Sequence, residues 1–211
     1  NLKFCEPKLS LNTNTKIVSK NILSPKKILF CAVSTHYDEE NFCGKIHKEF
    51  KNFSNNITTI IIPRHIHRSF EIKSDLEKIG LTVQLHSLNK NLNSKTDIYL
   101  VDTYGETRKF LNLSKIAFLG GSIVDFKGHN PMEAARLGLK VIHGKYISNH
   151  KEAYDLLKKI KISKKINSLR EALFFIKNSK NKNISHKTKI KLNKIGKNIL
   201  LNNYKETCKY I

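Results

Sequence analysis

The sequence predicts an α/β fold in which a Rossmann-like parallel sheet is flanked by helices. From Lys27 onward, short runs rich in β-branched residues alternate with amphipathic segments of helical length. This alternation is typical of βαβ units. Polar motifs follow several of the runs, and a doubly wound sheet binds its ligands at the carboxyl ends of its strands. Both observations favour a ligand-binding domain of the doubly wound type.

The individual elements follow from these runs in order. The β-branched runs predict strands at Lys27–Val33, Ile57–Ile62, Thr82–Leu85, Asp97–Val101, Ile116–Leu119 and Lys140–His143. Apolar residues at helical spacing predict helices at Glu39–Phe50, Phe70–Ile79, Gly105–Leu111, Pro131–Leu137, Asn149–Lys159, Ser168–Lys177 and Lys187–Tyr204. Each predicted strand is followed by a helix or a long polar connection, as parallel pairing requires.

The alternation of predicted strands and helices divides the chain into three segments. Residues 1–26 lack it and are interpreted as an interdomain connection. Residues 27–160 carry it and form the Rossmann-like domain. Residues 161–211 are strongly basic and are expected to form helices that pack on the domain, because apolar residues recur at helical spacing near the end of the chain.

The charge of the chain favours an anionic partner. Its 211 residues include 39 Lys and Arg against 17 Asp and Glu, a formal net charge of +22. Nucleic acid, anionic lipid and a phosphorylated substrate are the classes of partner that such a charge attracts. Only five of the basic residues are Arg, so a compositional bias toward Lys explains the charge better than a dedicated polyanion groove. A basic nucleic-acid-binding module is the alternative from a different class.

Cysteine usage and hydropathy exclude further classes. Cys5, Cys31, Cys43 and Cys208 lie far apart with no C-x-x-C spacing, so neither a zinc site nor a disulfide framework is predicted, and a reducing cytosol is expected. The chain has no signal peptide and no apolar run of about 18 residues. A membrane-spanning segment is therefore not expected, whereas attachment to a membrane surface stays open.

The segment 119–138 carries the strongest functional signal. Gly120 and Gly121 follow a predicted buried strand, where glycine lets the backbone approach a ligand closely. Asn130 and Pro131 mark a helix start, whose free amides face an anion. Glu133, near the start of that helix, is suited to accept two ribose hydroxyls, or alternatively it caps the helix beside its positive end. The glycines match neither G-x-G-x-x-G nor a P-loop, which disfavours a nicotinamide cofactor and nucleoside-triphosphatase activity.

A second signal is the cluster of basic residues after the second strand. Arg64 follows Pro63 in a loop at the ligand edge, where a guanidinium can hold a phosphate with two hydrogen bonds, or can be an ordinary surface charge. His65 and His67 lie in the same loop, but a metal site needs a third ligand that their spacing does not supply. No metal is expected.

Two further motifs end strands of the predicted sheet. Tyr104, Gly105 and Glu106 open a helix, so their amides could read a nucleobase or a phosphate, with Asp102 or Thr103 as a helix cap. After the first strand, Ser34-Thr35-His36 could form another anion-facing turn. Glu39 and Glu40 behind it are most simply interpreted as a favourable helix start.

Taken in order, these motifs resemble those of the lipid A-specific 3-deoxy-D-manno-octulosonic acid (Kdo) transferases, in the half that binds the donor. The matching residues are Asn1-Leu2-Lys3-Phe4, Ser34-Thr35-His36 with Glu39-Glu40, Pro63-Arg64-His65, Asp102-Thr103 with Gly105-Glu106, Gly120-Gly121-Ser122, and Gly128-His129-Asn130-Pro131 with Glu133. Among the departures from the family pattern, Tyr104 replaces a Met and Cys5 an Asp.

The resemblance implies the C-terminal domain of a GT-B glycosyltransferase, with residues 27–160 as its sugar-nucleotide-binding domain. The donor would be CMP-Kdo, and no cofactor is expected beside it. The resemblance implies that CMP contacts Pro63, Arg64, Tyr104, Gly105, Glu106, Asn130, Pro131, Met132 and Glu133, and that Lys3 stabilises charge near the transferred sugar. Ser34, Thr35, His36, Gly120, Gly121 and Ser122 are possible donor-loop residues.

The family's remaining properties are expectations of the same kind. Kdo would be transferred with inversion to a lipid A precursor, in lipopolysaccharide core synthesis at the cytoplasmic face of the inner membrane. The general base and the membrane anchor of the family belong to its N-terminal acceptor domain, which this chain is expected to lack. Anionic lipid would be a partner and nucleic acid would not. Another GT-B transferase that uses a UDP or GDP sugar is the alternative enzyme.

Overall fold

The computed structural model describes residues 28–179 and, beyond them, residues 184, 188, 190, 192 and 194. Its strands are β1 (Ile28–Thr35), β2 (Ile57–Pro63), β3 (Val83–Leu85), β4 (Ile98–Leu100), β5 (Ile116–Leu119), β6 (Lys140–His143) and β7 (Ser163–Lys165). Its helices are α1 (Glu39–Lys51), α2 (Ser69–Lys78), α3 (Thr107–Leu113), α4 (Met132–Leu137), α5 (Lys151–Lys159) and α6 (Leu169–Ser179). Short 3₁₀ turns at Ile66–Arg68 and Ser148–His150 precede α2 and α5.

The strands form one parallel sheet in the order β3-β4-β2-β1-β5-β6-β7. The chain moves away from β1 in one direction through β2 and in the other through β5. The crevice between the carboxyl ends of β1 and β5 is therefore the point where the strand order reverses. Open α/β sheets bind ligands in this crevice. The Rossmann-like parallel sheet that the sequence predicts is confirmed.

The two faces of the sheet are covered by different helices. Residues of β1 alternate: Phe30 packs in one cluster with α1, α2 and α6, while Cys31 packs in another with α3, α4 and α5. Because both faces are buried, every residue of β1 except Ser34 is buried. Such a strand is recognised by its continuous apolar run, which explains why β1, β2, β5 and β6 were predictable.

A third apolar cluster joins the C-terminal part of the chain to helix α4. Ile184 and Leu192 are buried there against Met132, Ala135 and Leu157. The packing of residues 161–211 as a whole stays a prediction. Met132 lies at the start of α4, so the C-terminal segment supports the helix that follows the Asn130 loop.

The structure corrects three sequence predictions. Strand β7 was not predicted, because its sequence Ser-Lys-Lys has no apolar run and it lies at the edge of the sheet. Helix α3 begins at Thr107, so Tyr104 and Gly105 precede it in a turn, where Gly105 has a positive φ of 82°. Helix α5 begins at Lys151, after the 3₁₀ turn that was assigned to it.

Part of the predicted organisation lies outside the described residues. The proposed connection 1–26, with Lys3 and Cys5, is not among them, nor are Cys208 and most of the helix predicted at Lys187–Tyr204. The described residues 188, 190, 192 and 194 of that segment are helical. The boundaries at residues 26 and 160 stay predictions, and the sheet itself continues to Lys165 in β7.

Candidate functional site

The turn after β5 is bound to the protein's own carboxylate at the reversal point of the sheet. Glu39, at the start of α1, is fully buried. Its Oε1 accepts hydrogen bonds from the amides of Ser122 (3.0 Å) and Ile123 (2.9 Å), and its Oε2 accepts from Gly121 (2.7 Å) and His36 (3.0 Å). Four N–H groups thus share one carboxylate.

This arrangement changes the interpretation of Glu39 and of the glycine turn. The sequence suggested that Glu39 favours a helix start and that Gly120 and Gly121 let the backbone approach a ligand closely. The amides of Gly121 and Ser122 instead donate hydrogen bonds to the carboxylate of Glu39, which is an anion of the protein itself. A ligand contact by Gly120, Gly121 or Ser122 stays a prediction, but it would have to use other atoms than the amides of Gly121 and Ser122.

Gly120 is required by the packing of two backbones. A Cβ at this position would collide with the carbonyl group of Ser34, at the end of β1. Ser34 itself has a positive φ of 54°, where the register between β1 and β2 shifts. The glycine therefore allows the turn after β5 to pass directly over the bulge in β1, whereas the sequence had suggested close approach to a ligand.

Histidine rings line the open side of the same crevice. The Nε2 atoms of His36 and His129 lie 3.1 Å apart, and their ring planes differ by 6°. Phe126 stacks on His36 with ring centroids 3.9 Å apart and is itself 55% exposed. His65 meets His36 edge-on at 5.7 Å. The crevice is thus walled by aromatic rings and stays accessible to solvent.

The His36–His129 contact is a hydrogen bond between neutral rings. Burial, together with the neighbouring His129, His65, Arg64 and Arg68, lowers the pKa of His36 to about 4. The pKa of His129 is also lowered, chiefly by burial and then by Arg64 and His150. One Nε2 donates and the other accepts, so the pair holds one shared proton in the contact near neutral pH.

Arg64 is the exposed cation of this crevice. Its amide donates to the carbonyl of Thr35 at 2.9 Å, which fixes the loop after β2 to the end of β1. Its guanidinium acts electrostatically on both His36 and His129. Within residues 28–179 it forms no ion pair with a carboxylate, unlike Arg68. An exposed guanidinium without a carboxylate partner is free to bind a ligand anion.

Arg68, four residues further on, is occupied within the protein. It contacts Glu40 at 3.4 Å and Glu71 at 3.1 Å, and its guanidinium lies over the ring of Tyr37. Burial raises the pKa of Glu40 to about 7, although Arg68 opposes the change. Glu39 and Glu40 therefore differ: one binds backbone amides, and the other lies beside a single arginine.

The loop before α4 begins beside the histidine pair. Asn130 follows His129 directly, and its Oδ1 accepts a hydrogen bond from the amide of Met132 at 3.0 Å. The predicted capping by Asn130 is thus present, although Pro131 occupies the N-cap position and the helix begins at Met132. Glu133 lies in the first turn of α4 and is half-buried.

The predicted motif Tyr104–Glu106 lies at the same edge of the sheet, after β4. Tyr104 is 80% exposed, and Glu106 forms an ion pair with Lys109 at 2.9 Å. Helix α3, which follows, packs against α4. The motif is therefore linked to the Asn130 loop only through the packing of α3 on α4. The described residues show no direct contact of Tyr104 with Arg64 or His129.

The predicted cap of α3 is wrong. Asp102 accepts hydrogen bonds from the amide of Ser87 at 2.8 Å and from its hydroxyl at 2.5 Å. Its carboxylate therefore joins the loops after β3 and β4. The N-cap residue of α3 is Glu106, which makes no side-chain capping bond.

Some candidate features are absent from the part of the chain that the structure describes. No group of three or more His, Cys, Asp or Glu side chains is arranged there to hold a metal ion, and His65 and His67 meet only through their rings at 5.6 Å. Cys31 and Cys43 are buried free thiols. None of the described helices combines the length and the apolar character that crossing a bilayer requires.

Sequence reasoning missed His129 and Phe126 as members of the crevice. His129 lies inside the motif Gly128–Pro131, so its position was a signal, but its partner His36 is 93 residues away. Phe126 lies in the same segment, but the sequence analysis assigned it no role. Only the fold brings these rings together, because β1 and β5 are adjacent in the sheet but distant along the chain.

No protein-family model matches the chain. Among curated proteins, it is 30% identical over 171 residues to a 3-deoxy-D-manno-octulosonic acid transferase of Haemophilus influenzae, which covers 79% of this chain and 40% of that protein. It is 33% identical over 229 residues to a bifunctional glycosyltransferase/methyltransferase of Fusobacterium nucleatum, which covers 99% of this chain and 34% of that protein. The chain spans 40% or less of the length of these relatives.

Solved structures share the fold. The C-terminal CMP-Kdo binding domain of WaaA from Acinetobacter baumannii matches with a TM-score of 0.66 at 23% identity, over 73% of this chain and 80% of that one. An α,α-trehalose 6-phosphate synthase from Burkholderia multivorans matches with a TM-score of 0.55 at 10% identity, over 95% of this chain and 46% of that one. The predicted fold, that of the C-terminal domain of a GT-B glycosyltransferase, is confirmed.

Proposed function

Because this chain is a homologue of the Kdo transferases over most of its length, we propose that it is the domain that binds the sugar-nucleotide donor, CMP-Kdo. The observation that carries the proposal is the exposed guanidinium of Arg64 at the reversal point of the sheet. It has no carboxylate partner within residues 28–179, and it lies beside the loop that leads into Asn130 and Glu133.

Different residues of the crevice bind different parts of the donor. Arg64, positioned by Pro63, binds the phosphate of CMP. Glu133 accepts hydrogen bonds from the ribose hydroxyls, and Asn130, Pro131 and Met132 shape the loop before it. The exposed turn of Tyr104, Gly105 and Glu106 packs against the cytosine. Lys3, which lies outside the described residues, stabilises charge near the transferred sugar.

The proposed reaction is transfer of Kdo to a hydroxyl of a lipid A precursor with inversion at the anomeric carbon. The bond between this carbon and the phosphate oxygen breaks, so negative charge develops on the CMP leaving group. Arg64, as the proposed phosphate ligand, would neutralise that charge, a contribution of several kcal/mol to lowering such a barrier. The general base that takes the acceptor proton belongs to the acceptor domain of the longer protein.

The proposed place of action is the cytoplasmic face of the inner membrane, with anionic lipid as the docking partner. The net charge of +22 supports this, since basic residues near an anionic surface contribute about 1 kcal/mol each. No metal and no cofactor is proposed besides the donor. Liposome sedimentation with and without anionic lipid tests the docking, and equal binding to neutral and anionic vesicles would refute it.

Calorimetric titration with CMP, UMP and GMP tests the donor. We expect saturable binding of CMP and weaker binding of UMP and GMP. Glu133→Ala should weaken CMP binding about 10-fold or more, because the ribose hydroxyls lose an ionised acceptor. Glu77→Ala is the matched control, since Glu77 is exposed near the C-terminal end of α2, at the edge of the sheet opposite the crevice.

The other outcomes identify the alternatives. Preference for UMP or GMP would indicate a different sugar nucleotide. Binding of nucleic acid with a steep salt dependence, together with no nucleotide preference, would indicate a basic nucleic-acid-binding module. A folded chain that binds none of the nucleotides would overturn the proposed donor site.

A further inference from the structure

The His36–His129 pair is a feature of the crevice that phosphate binding by Arg64 does not by itself require. The two rings are nearly coplanar, with their Nε2 atoms 3.1 Å apart, although His36 directly follows β1 and His129 lies in the loop after β5. In such a contact, the Nε2 of one ring donates the hydrogen bond and the Nε2 of the other ring accepts it. The Nδ1 of the donor ring is then the nitrogen that can accept a further proton.

The surroundings keep that further proton away in the free protein. His36 is buried and stacked on Phe126. The charged or titratable groups that act on it are His129, His65, Arg64 and Arg68, and all of them oppose a positive charge. Arg64 and His150 act on His129 in the same direction. Among the described residues, Glu39 is a carboxylate that binds this segment, and it is held by four backbone amides.

A bound phosphate would reverse this balance. Its negative charge beside Arg64 would cancel the repulsion that the guanidinium exerts on both rings, and it would attract a positive charge on the pair. A proton from solvent would enter at Nδ1 of the donor ring. The Nε2–H···Nε2 bond would be kept and would become charge-assisted.

We propose that the His36–His129 pair is a proton-accepting part of the donor site, which takes up one proton from solvent when the phosphate of the donor binds beside Arg64. The pair then holds positive charge next to the phosphate oxygens as the leaving group departs. This inference rests on the proposed function. It assigns to the two histidines a positioning and electrostatic role that is separate from recognition of the nucleotide.

The test is calorimetric titration of the chain with CMP at pH 7 in PIPES, HEPES and Tris. These buffers differ in ionisation enthalpy, so the dependence of the observed heat on the buffer gives the number of protons taken up. Cytidine and inorganic phosphate are titrated in parallel. We expect proton uptake with CMP, none with cytidine, and uptake with inorganic phosphate if it binds, because the phosphate group is the shared chemistry.

Substitution of either histidine tests whether the His36–His129 pair is the group that takes up the proton. His36→Gln and His129→Gln keep an amide nitrogen near the Nε2 position but do not titrate, so proton uptake should fall to the cytidine level. His67→Gln is the matched control, because His67 lies in the same region but outside the pair. Uptake that persists in both pair variants would overturn the inference.

A second measurement needs no variant. The Cε1–H resonances of His36 and His129 are followed by NMR as a function of pH, with and without CMP. Saturation with CMP should raise the titration midpoint of one of the two rings above about 7, because only then does the pair carry most of one added proton at pH 7. Unchanged midpoints would overturn the inference.

The outcomes separate this inference from the proposed function. CMP binding with equal heats in all three buffers would leave the donor site standing and overturn the proton uptake alone. Failure of the folded chain to bind CMP would overturn both.

Discussion

Two loops at the carboxyl edge of the sheet were both interpreted as possible ligand contacts, but they differ in how their charges are balanced. The turn Gly120–Ile123 presents three amides that are bound, together with that of His36, by the buried carboxylate of Glu39. The loop after β2 presents Arg64, which has no carboxylate partner among residues 28–179. The first region is a closed internal contact, and the second is a surface suited to an external anion.

The difference teaches that a motif typical of ligand binding can be completed by the protein itself. The sequence predicted a ligand contact in either case. Whether that contact is made with a side chain or a ligand depends on what packs opposite, which sequence spacing does not reveal. The following predictions test the comparison, beginning with the largest expected effect.

Removal of the internal anion should strongly destabilise the fold. Glu39→Ala leaves four buried amides without an acceptor, and we expect a loss of about 4 kcal/mol in the free energy of unfolding. Urea denaturation followed by circular dichroism measures it. Glu40→Gln is the matched control at the neighbouring buried position and should cost much less, since Glu40 binds no such set of amides. Equal losses in the two variants would contradict the assigned role of Glu39.

The neighbouring Glu40 should make stability depend on pH. Its folded pKa is raised to about 7 from an ordinary value of 4.5, so the folded state holds more protons than the unfolded state between these values. Its contribution to stability is therefore lost as the pH rises through this window, by up to about 3 kcal/mol.

The difference in unfolding free energy between Glu40→Gln and the wild type isolates this effect from the titration of the histidines. Urea denaturation at intervals from pH 4.5 to pH 7.5 should show the variant gaining stability relative to the wild type as the pH rises. A difference that stays constant across this window would refute the raised pKa of Glu40.

Gly120→Ala should also destabilise the turn Gly120–Ile123. Its methyl group would collide with the carbonyl of Ser34, and we expect a loss of about 3 kcal/mol, since neither backbone can move without breaking the sheet. Gly80→Ala is the control. Gly80 has a positive φ of 83° but open space around it, so only the backbone cost of about 1 kcal/mol should appear. Thermal unfolding that ranks the two variants in the opposite order would show that Gly120 is not needed for packing.

Substitution of Arg64 in the loop after β2 should change the affinity for CMP and leave the stability of the fold nearly unchanged. Arg64→Ala should weaken CMP binding 10-fold to 100-fold, the usual worth of about 1.5–3 kcal/mol for hydrogen bonds to a charged group, while the unfolding free energy changes by less than about 0.5 kcal/mol. Arg170→Ala, an exposed arginine on α6, should change neither quantity. Loss of stability in Arg64→Ala without loss of CMP affinity would remove the distinction between the two regions.

Much of the fold could be predicted because buried parallel strands leave a clear signal. Six of the seven strands were predicted, and β5 and β6 agree residue for residue. The resemblance to the Kdo transferases, read from short motifs in order, is confirmed by the relatives. Strand β7 and the cap of α3 were not predictable, because an edge strand needs no apolar run and Asp102 has its partner in another loop.

The sequence by itself determined which segments become strands and helices and which polar motifs end them, because periodicity and turn residues act locally. Only the tertiary structure decided the partners of those motifs. Glu39 reaches Ser122 across 83 residues and His36 reaches His129 across 93, since parallel pairing of β1 with β5 places the ends of distant strands side by side. Burial then fixed the charges, because a buried carboxylate must be matched by donors and a buried imidazole stays neutral.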